Sequence, residues 1–293
     1  MNQLIVHASA KLNLTLDILG LLPNGYHRLA MVLQSLSLCD RIMITRCDGQ
    51  AVVLRCPKDL PQGEDNIAFR AAQCFFAASG IRPRGVEIGL KKSIPAAAGL
   101  GGGSADAAAV LVGLNHWFDN VLPVDKLLEI GASLGADVPF CIIGGTALAE
   151  GFGERLTPLS PLPDCHIVLV KAGEKASTQR MYALYDQYGG EKTAFTDGMK
   201  RAISAGDLAG IAGALGNAFD GLANRETADQ AKRILKETGA LGTGLSGSGP
   251  TIYGIYDRTQ AADAGAHALA AAGMAPIRCR PAGFGCSVES SCP

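Results

Sequence analysis

The 293-residue chain has no apolar run long enough to span a bilayer, because glycine, asparagine or a charge breaks every candidate. It also lacks the basic segment that precedes the apolar core of an export signal, and Lys11 falls where such a signal is apolar. Both absences set the expectation of a mature cytoplasmic protein that makes no membrane contact. A dense Lys/Arg cluster is missing too. Lys91 and Lys92, and Lys171 and Lys175, are too sparse to neutralise a run of phosphates, and the formal net charge is -1, which argues against a nucleic-acid partner. A small anionic substrate stays open, because one or two lysines in a cleft leave the net charge unmoved. The nine cysteines (Cys39, Cys47, Cys56, Cys74, Cys141, Cys165, Cys279, Cys286 and Cys292) include no CxxC pair and no accompanying histidine pattern, which argues against a cysteine metal site. Their odd number and the missing export signal point to reduced thiols, mostly buried as small hydrophobes. There is no internal repeat or low-complexity tract, and no feature demands an obligate protein partner.

What is present is an ordinary globular balance, 48% hydrophobic and 18% charged. The length exceeds what one core holds comfortably, so two domains are expected. Leu12, Leu14, Leu16 and Ile18 alternate with Asn13, Thr15 and Asp17, which reads as a half-buried strand with Lys11 and Asn13 side by side on its polar face. Asn24-Gly25 signals a hairpin, with a returning strand over 29–38. Further strands are expected over 42–45, 51–54, 86–90, 166–170, 251–256 and 277–280. Helices are expected over 66–78 (with Asn66 as its N-cap), 105–114, 125–134, 178–188, 227–236 and 261–271. Pro158, Pro161 and Pro163 mark the expected domain boundary, and the tail from Gly285 carries no pattern. Mixed elements without strict βαβ alternation imply α+β in both halves.

Between an expected strand and an expected helix lies Pro95-Ala96-Ala97-Ala98-Gly99-Leu100-Gly101-Gly102-Gly103-Ser104-Ala105-Asp106. Consecutive glycines let the backbone approach an anion and aim several N–H groups at it, and the helix starting near Ser104 adds its positive end. Ser104 either contacts Mg²⁺ or caps the helix. No lysine follows these glycines, so this is not a P-loop. Gly242-Thr243-Gly244-Leu245-Ser246-Gly247 has the spacing of a dinucleotide fingerprint, but it follows a helix and leads into a strand, the reverse of the required order.

Three segments together resemble the GHMP kinase superfamily: Ala10-Lys11-Leu12-Asn13, the loop over 95–106, and Leu245-Ser246-Gly247-Ser248-Gly249-Pro250-Thr251. Gly25-Tyr26-His27, Asp65-Asn66-Ile67, Gly135-Ala136-Asp137-Val138-Pro139-Phe140 and Gly144-Gly145-Thr146-Ala147 narrow the resemblance. They point to the branch that phosphorylates the 2-hydroxyl of a cytidine diphosphate-linked methylerythritol in the non-mevalonate route to isoprenoids. The resemblance implies a two-domain α+β GHMP kinase fold. Residues 1–157 would form an N-terminal ribosomal-protein-S5-like, ATP-binding domain, and 158–293 a C-terminal ferredoxin-like domain that completes the substrate site. It implies ATP and Mg²⁺ as cofactors.

The resemblance also implies residue roles, which stand beside plainer readings. Asp137 matches the catalytic base, yet on sequence alone it reads equally as a helix cap before Val138-Pro139. Lys11 matches the lysine that orients Asp137 and neutralises the transferring phosphoryl group. Pro95 through Ala105 match the ATP loop, and Asn66 and Lys92 match positions near adenine and ribose; alone, these two read as a helix cap and a solvated charge. Tyr26 and His27 match the pair that reads cytosine, by stacking and by hydrogen bonds to the base edge. Asn13, Thr178, Tyr182, Ser246, Gly247 and Ser248 match the substrate pocket, although 246–249 also reads as a tight turn. Ala136 stands where serine is frequent, Ser104-Ala105 replaces a double serine, and 171–175 lacks an expected proline. Two alternatives remain: another GHMP kinase of homoserine or mevalonate type, and a non-catalytic nucleotide-binding regulator.

Overall fold

The computed structural model describes residues 3–23, 25–49, 51–83, 85–188 and 194–289. The first half runs β1 (Gln3–Leu21), β2 (His27–Arg46), β3 (Val52–Arg55), α1 (Ile67–Ser79), β4 (Val86–Lys91) and α2 (Gly102–Trp117). It continues through α3 (Val124–Leu134), α4 (Val138–Ile143), β5 (Thr146–Gly151) and β6 (Arg155–Pro158). The second half contains β7 (His166–Lys171), α5 (Thr178–Tyr188), α6 (Phe195–Ala205), α7 (Leu208–Gly213), β8 (Gly216–Asn217) and α8 (Arg225–Glu237). It ends with β9 (Gly242–Leu245), β10 (Thr251–Tyr256), α9 (Thr259–Ala271), β11 (Pro276–Cys279), β12 (Pro281–Ala282) and β13 (Cys286–Glu289).

β1 and β2 form a long antiparallel hairpin whose register closes at Leu21 and His27; Asn24, half of the expected turn, lies outside the described residues. The two strands expected over 29–38 and 42–45 are one continuous strand. Gln34, Ser35 and Asp40 break the apolar pattern, yet all three are buried and hydrogen-bonded in place. Around the hairpin the first sheet orders its strands β13-β1-β2-β4-β3, with β5 and β12 also pairing on β2. The second sheet has the order β11-β7-β10-β9. With α8 and α9 against it and a strand-helix-strand-strand-helix-strand sequence, it is a ferredoxin-like layer. The chain leaves the first sheet at Pro158 and enters the second at His166, while β8, β12 and β13 return to the first.

β1 corrects the half-buried reading: every residue over 8–18 is buried, the polar ones included. Ala8, Ala10, Leu12 and Leu14 belong to the core that β1 shares with α2. The opposite face meets the second half of the chain. Thr15 Oγ1 is 2.9 Å from Thr196 Oγ1, and the Asp17 carboxylate accepts the backbone N–H groups of Phe195 (3.0 Å) and Thr196 (2.8 Å). Asp17 thus satisfies the first turn of α6, whose own N-cap position, Ala194, offers no side-chain bond. Tyr253 donates its hydroxyl to the Asn13 carbonyl at 2.9 Å. A polar strand face is therefore buried by a second layer that satisfies it, and an alternation rule cannot see that layer.

The tail also differs from expectation. β13 pairs antiparallel with β1 from Ile5↔Glu289 to Ala8↔Cys286, and β12 pairs with β2. Strands of four and two residues are too short to show a period. The six-residue α4 and the six-residue β5 are likewise elements beyond those expected. Of the eight described cysteines, all free, only Cys141, Cys165 and Cys279 are buried; the others are partly exposed, and Cys292 lies outside the described residues. No helix among the described residues is long and apolar enough to cross a membrane.

Candidate active site

The two halves enclose a cavity of about 740 Å³ lined by the glycine loop, the middle of β1, residues 136–137 and the segments around 175–182 and 247–248. The glycine loop sets one wall. Helix α2 begins at Gly102, two residues before Ser104, with Gly101 at the N-cap in left-handed backbone (φ 70°) and no side-chain cap. Ser104 therefore sits in the first helical turn and does not cap it. Pro95, Ala96, Ala97, Ala98, Gly99, Gly101, Gly102, Gly103 and Ser104 all line the cavity. Leu100 and Ala105, expected to take part, point into the core instead. Two of the glycines are required by close approach. A Cβ on Gly99 would lie 2.5 Å from the Ser246 carbonyl oxygen, and one on Gly101 would lie 2.8 Å from Lys11 Cγ.

Lys11 forms the floor. Its Nζ donates to Asn13 Oδ1 at 2.7 Å and stands 3.5 Å from Asp137 Oδ2. The lysine side chain is 6% exposed and the aspartate 35%, so the carboxylate is the group that faces the opening. Asp137 occupies the N-cap position of α4, yet its side chain makes no capping bond. The plain sequence reading of Asp137 as a cap is thus not what its carboxylate does.

Behind the glycine loop Lys92 is bonded to two buried carboxylates, Asp40 and Asp106. Asp40 Oδ1 also accepts the N–H groups of Ser93 and Ile94, at the root of the loop. Burial pushes the Asp106 carboxyl up to about 7; the Lys92 charge opposes this and the Asp40 charge adds to it. Its Oδ1 is buried with no hydrogen-bond partner. Asn66 lines the same end and caps α1, with Oδ1 accepting Ala68 N–H at 2.9 Å while Nδ2 donates to the Pro61 carbonyl at 2.8 Å.

At the far end His27 stacks on Tyr182, with ring centroids 4.5 Å apart and planes 12° apart, and its Nε2 is 2.9 Å from Asp186 Oδ1. Tyr182 meets Phe219 edge-on at 5.0 Å. Burial, and then the Asp137 charge, push the Tyr182 hydroxyl up to about 12. Tyr26 is 63% exposed, its ring 6.0 Å from that of Phe152. Tyr182, Thr178 and Phe152 line the cavity; His27 and Tyr26 do not, and touch its lining through Tyr182 and Phe152. Ser246 does not face the opening. It is fully buried, donates to the Gly99 carbonyl at 3.0 Å and receives Asn13 N–H at 3.3 Å, so it ties the glycine loop and β1 to the second half.

The sequence matches the models for the GHMP kinases N terminal domain over residues 66–145 and GHMP kinases C terminal over 199–274. It is 47% identical to a 4-diphosphocytidyl-2-C-methyl-D-erythritol kinase of Pelotomaculum thermopropionicum, over 85% of this chain and 87% of that one. It is 42% identical to the enzyme of that name from Moorella thermoacetica, over 87% and 90%. The chain belongs to the 4-diphosphocytidyl-2-C-methyl-D-erythritol kinase family of GHMP kinases. It is an ATP-dependent small-molecule kinase. A crystal structure of 4-(cytidine 5'-diphospho)-2C-methyl-D-erythritol kinase superposes with a TM-score of 0.81 at 31% identity, covering 95% of this chain and 99% of that one. Homoserine kinase from Cytophaga hutchinsonii shares the fold alone, with a TM-score of 0.74 at 19% identity, covering 99% and 98%.

Three residues of this family member's site escaped the sequence reading. Lys175 lines the cavity and donates to Ser248 Oγ (3.1 Å) and to the Gly249 carbonyl (3.2 Å). Asp40 anchors the loop from beneath. Asn217 Nδ2 donates to the carbonyls of Leu245 (2.8 Å) and Gly247 (2.9 Å), holding the turn that carries Gly247 and Ser248 against the floor. Lys175 stands apart from other lysines in the sequence, and linear density of charge does not single it out. The other two carried no motif, and their signal exists only in three dimensions.

Proposed function

We propose that this chain transfers the γ-phosphoryl group of ATP to the 2-hydroxyl of a cytidine diphosphate-linked methylerythritol, by direct in-line displacement with Asp137 as general base. The observation that carries the reading is the Lys11–Asp137 pair at 3.5 Å, on the cavity floor directly beside the glycine loop, with the carboxylate uncommitted to any cap. In this reading residues 1–157 form the ATP-binding domain. Residues 158–293 complete the acceptor site through Thr178, Tyr182, Gly247 and Ser248.

The loop fits a polyphosphate: it offers close backbone approach and the start of a 16-residue helix, whose unpaired N–H groups and dipole favour anions. Mg²⁺ travels with ATP and neutralises charge on its phosphates; the Ser104 hydroxyl is the oxygen donor of the loop that would meet it, of the kind a hard cation takes. Asp137 accepts the proton of the acceptor hydroxyl as that oxygen forms its bond to phosphorus and the bond from phosphorus to the bridging oxygen breaks, releasing ADP. Lys11, held by Asn13, keeps Asp137 oriented and offers positive charge to the phosphoryl group. Tyr26 and His27 read the base at the aromatic end, His27 stacked on Tyr182 and Tyr26 beside Phe152.

The test is ADP release from Mg-ATP with the cytidine diphosphate-linked acceptor, beside homoserine and mevalonate. Turnover with the first alone is expected. Turnover only with another acceptor retires the acceptor assignment and keeps the kinase.

A further inference from the structure

Three ammonium groups line the cavity, those of Lys11, Lys92 and Lys175. Two already face carboxylates: Lys92 joins Asp40 and Asp106, and Lys11 joins Asp137. Lys175 differs. Its bonded partners are two neutral oxygens, Ser248 Oγ and the Gly249 carbonyl, and among the described residues no carboxylate forms an ion pair with it. Burial and the charge of Lys11 hold its ammonium below the ordinary lysine range, with Asp137 offsetting only part of this. An anion placed there relieves both penalties. The surroundings suit phosphate oxygens, because Thr178 Oγ1 lies 3.1 Å from Ser248 Oγ and puts two hydroxyls beside the cation.

We propose that Lys175, with Ser248 and Thr178, holds the diphosphate of the acceptor; this rests on the acceptor assigned above. Covalent order within that acceptor is the argument. Its diphosphate lies between its base and its reacting alcohol. A ligand with the base at the Tyr182–His27 stack and the hydroxyl at Asp137 must place the diphosphate between them. Lys175 stands in that interval: it bonds Ser248, whose neighbour Gly247 would set a Cβ 3.2 Å from Lys11 Nζ, and it shares the cavity lining with Tyr182. The glycine loop, which meets the 246–249 turn at Gly99, is left to the phosphates of ATP.

The experiment compares Lys175→Met and Lys175→Gln with the wild type, measuring Kd for cytidine and for CDP by calorimetry, and KM for acceptor and for ATP by ADP release. Both variants are expected to weaken CDP and raise the acceptor KM roughly 10–100-fold, the size of a lost charge-assisted contact. Cytidine affinity and the KM for ATP should stay within about twofold of wild type. Lys175→Gln keeps a donor for Ser248 and Gly249, so a shared loss in CDP affinity with a native melting temperature in the Gln variant separates charge from fold. Unchanged CDP affinity in both variants, an equal loss for cytidine and CDP, or a loss confined to ATP overturns the proposal. If the wild type neither binds CDP nor turns over the cytidine acceptor, the acceptor reading itself falls and takes this inference with it.

Discussion

Gly101→Ala tests whether the glycine loop and the Lys11 floor form one mechanical unit. Gly101 sits at φ 70°, where a residue with a side chain loses about 1–2 kcal/mol. Its new methyl carbon would lie 2.8 Å from Lys11 Cγ and 3.4 Å from Lys11 Cε. Comfortable carbon contacts need about 3.5–4.0 Å, so the lysine stem must retreat by roughly 1 Å. Its Nζ reaches Asn13 at 2.7 Å and Asp137 at 3.5 Å, and both contacts move with it. Misplacement of about 1 Å in a positioned group costs on the order of 10²-fold. We therefore expect kcat to fall roughly 10–100-fold, with a melting temperature lower by about 2–6 °C. Gly103→Ala is the control. Gly103 lies in the first turn of α2 outside the left-handed region, and its Cβ would meet only Ile67 Cγ2, at an ordinary 3.5 Å. Alanine there should raise stability by about 0.5–1 kcal/mol and leave kcat near wild type. Its methyl group, exposed toward the cavity, should raise the KM for ATP. Scanning fluorimetry and coupled ADP release read all of this. A Gly101→Ala enzyme with native kcat, or melting shifts of the same sign in both variants, would refute the reasoning.

Asp137→Asn should lower kcat roughly 10²–10⁴-fold and also lower the melting temperature, because no capping bond is lost but the buried Lys11 ammonium loses its carboxylate; an active variant removes Asp137 as base. Asp40→Ala leaves two loop-root N–H groups unpaired and Lys92 with one carboxylate, and should cost about 3–5 kcal/mol in urea unfolding. Asp40→Asn should recover part of that, and equal losses in the two would argue against the two-acceptor role. Asn217→Ala removes three buried bonds, to Leu245, Gly247 and Phe219, and should cost on the order of 2–4 kcal/mol while raising the acceptor KM more than it lowers kcat.

The parts of this molecule legible in sequence are those whose cause is local. Alternation places Lys11 and Asn13 side by side, and a 2.7 Å hydrogen bond joins them. A strand followed by four glycines and an alanine-rich run announces a loop feeding a helix, though the start of the helix was expected at Ser104. A glycine looks like a breaker in sequence, whereas here Gly101 supplies the left-handed turn from which α2 departs. What stayed hidden depends on distant layers. Thr15 and Asp17 read as solvent-facing because nothing in 12–18 indicates that Phe195 and Thr196 will cover them. Ser246, expected at the substrate, is spent on Gly99 instead. The same distance hid Lys175 and Asp40, since a lone lysine and a lone aspartate acquire meaning only from what the fold brings opposite them.

The return of residues 285–289 to the first sheet has a temporal consequence. The strand that carries Lys11 keeps one edge open over Ile5 to Ser9 until Gly285 accepts the Ser9 N–H at 2.8 Å and Cys286 to Glu289 zip alongside. During synthesis β1 thus waits for a strand made about 280 residues later, with an unpaired strand edge exposed to neighbouring nascent chains in the interval.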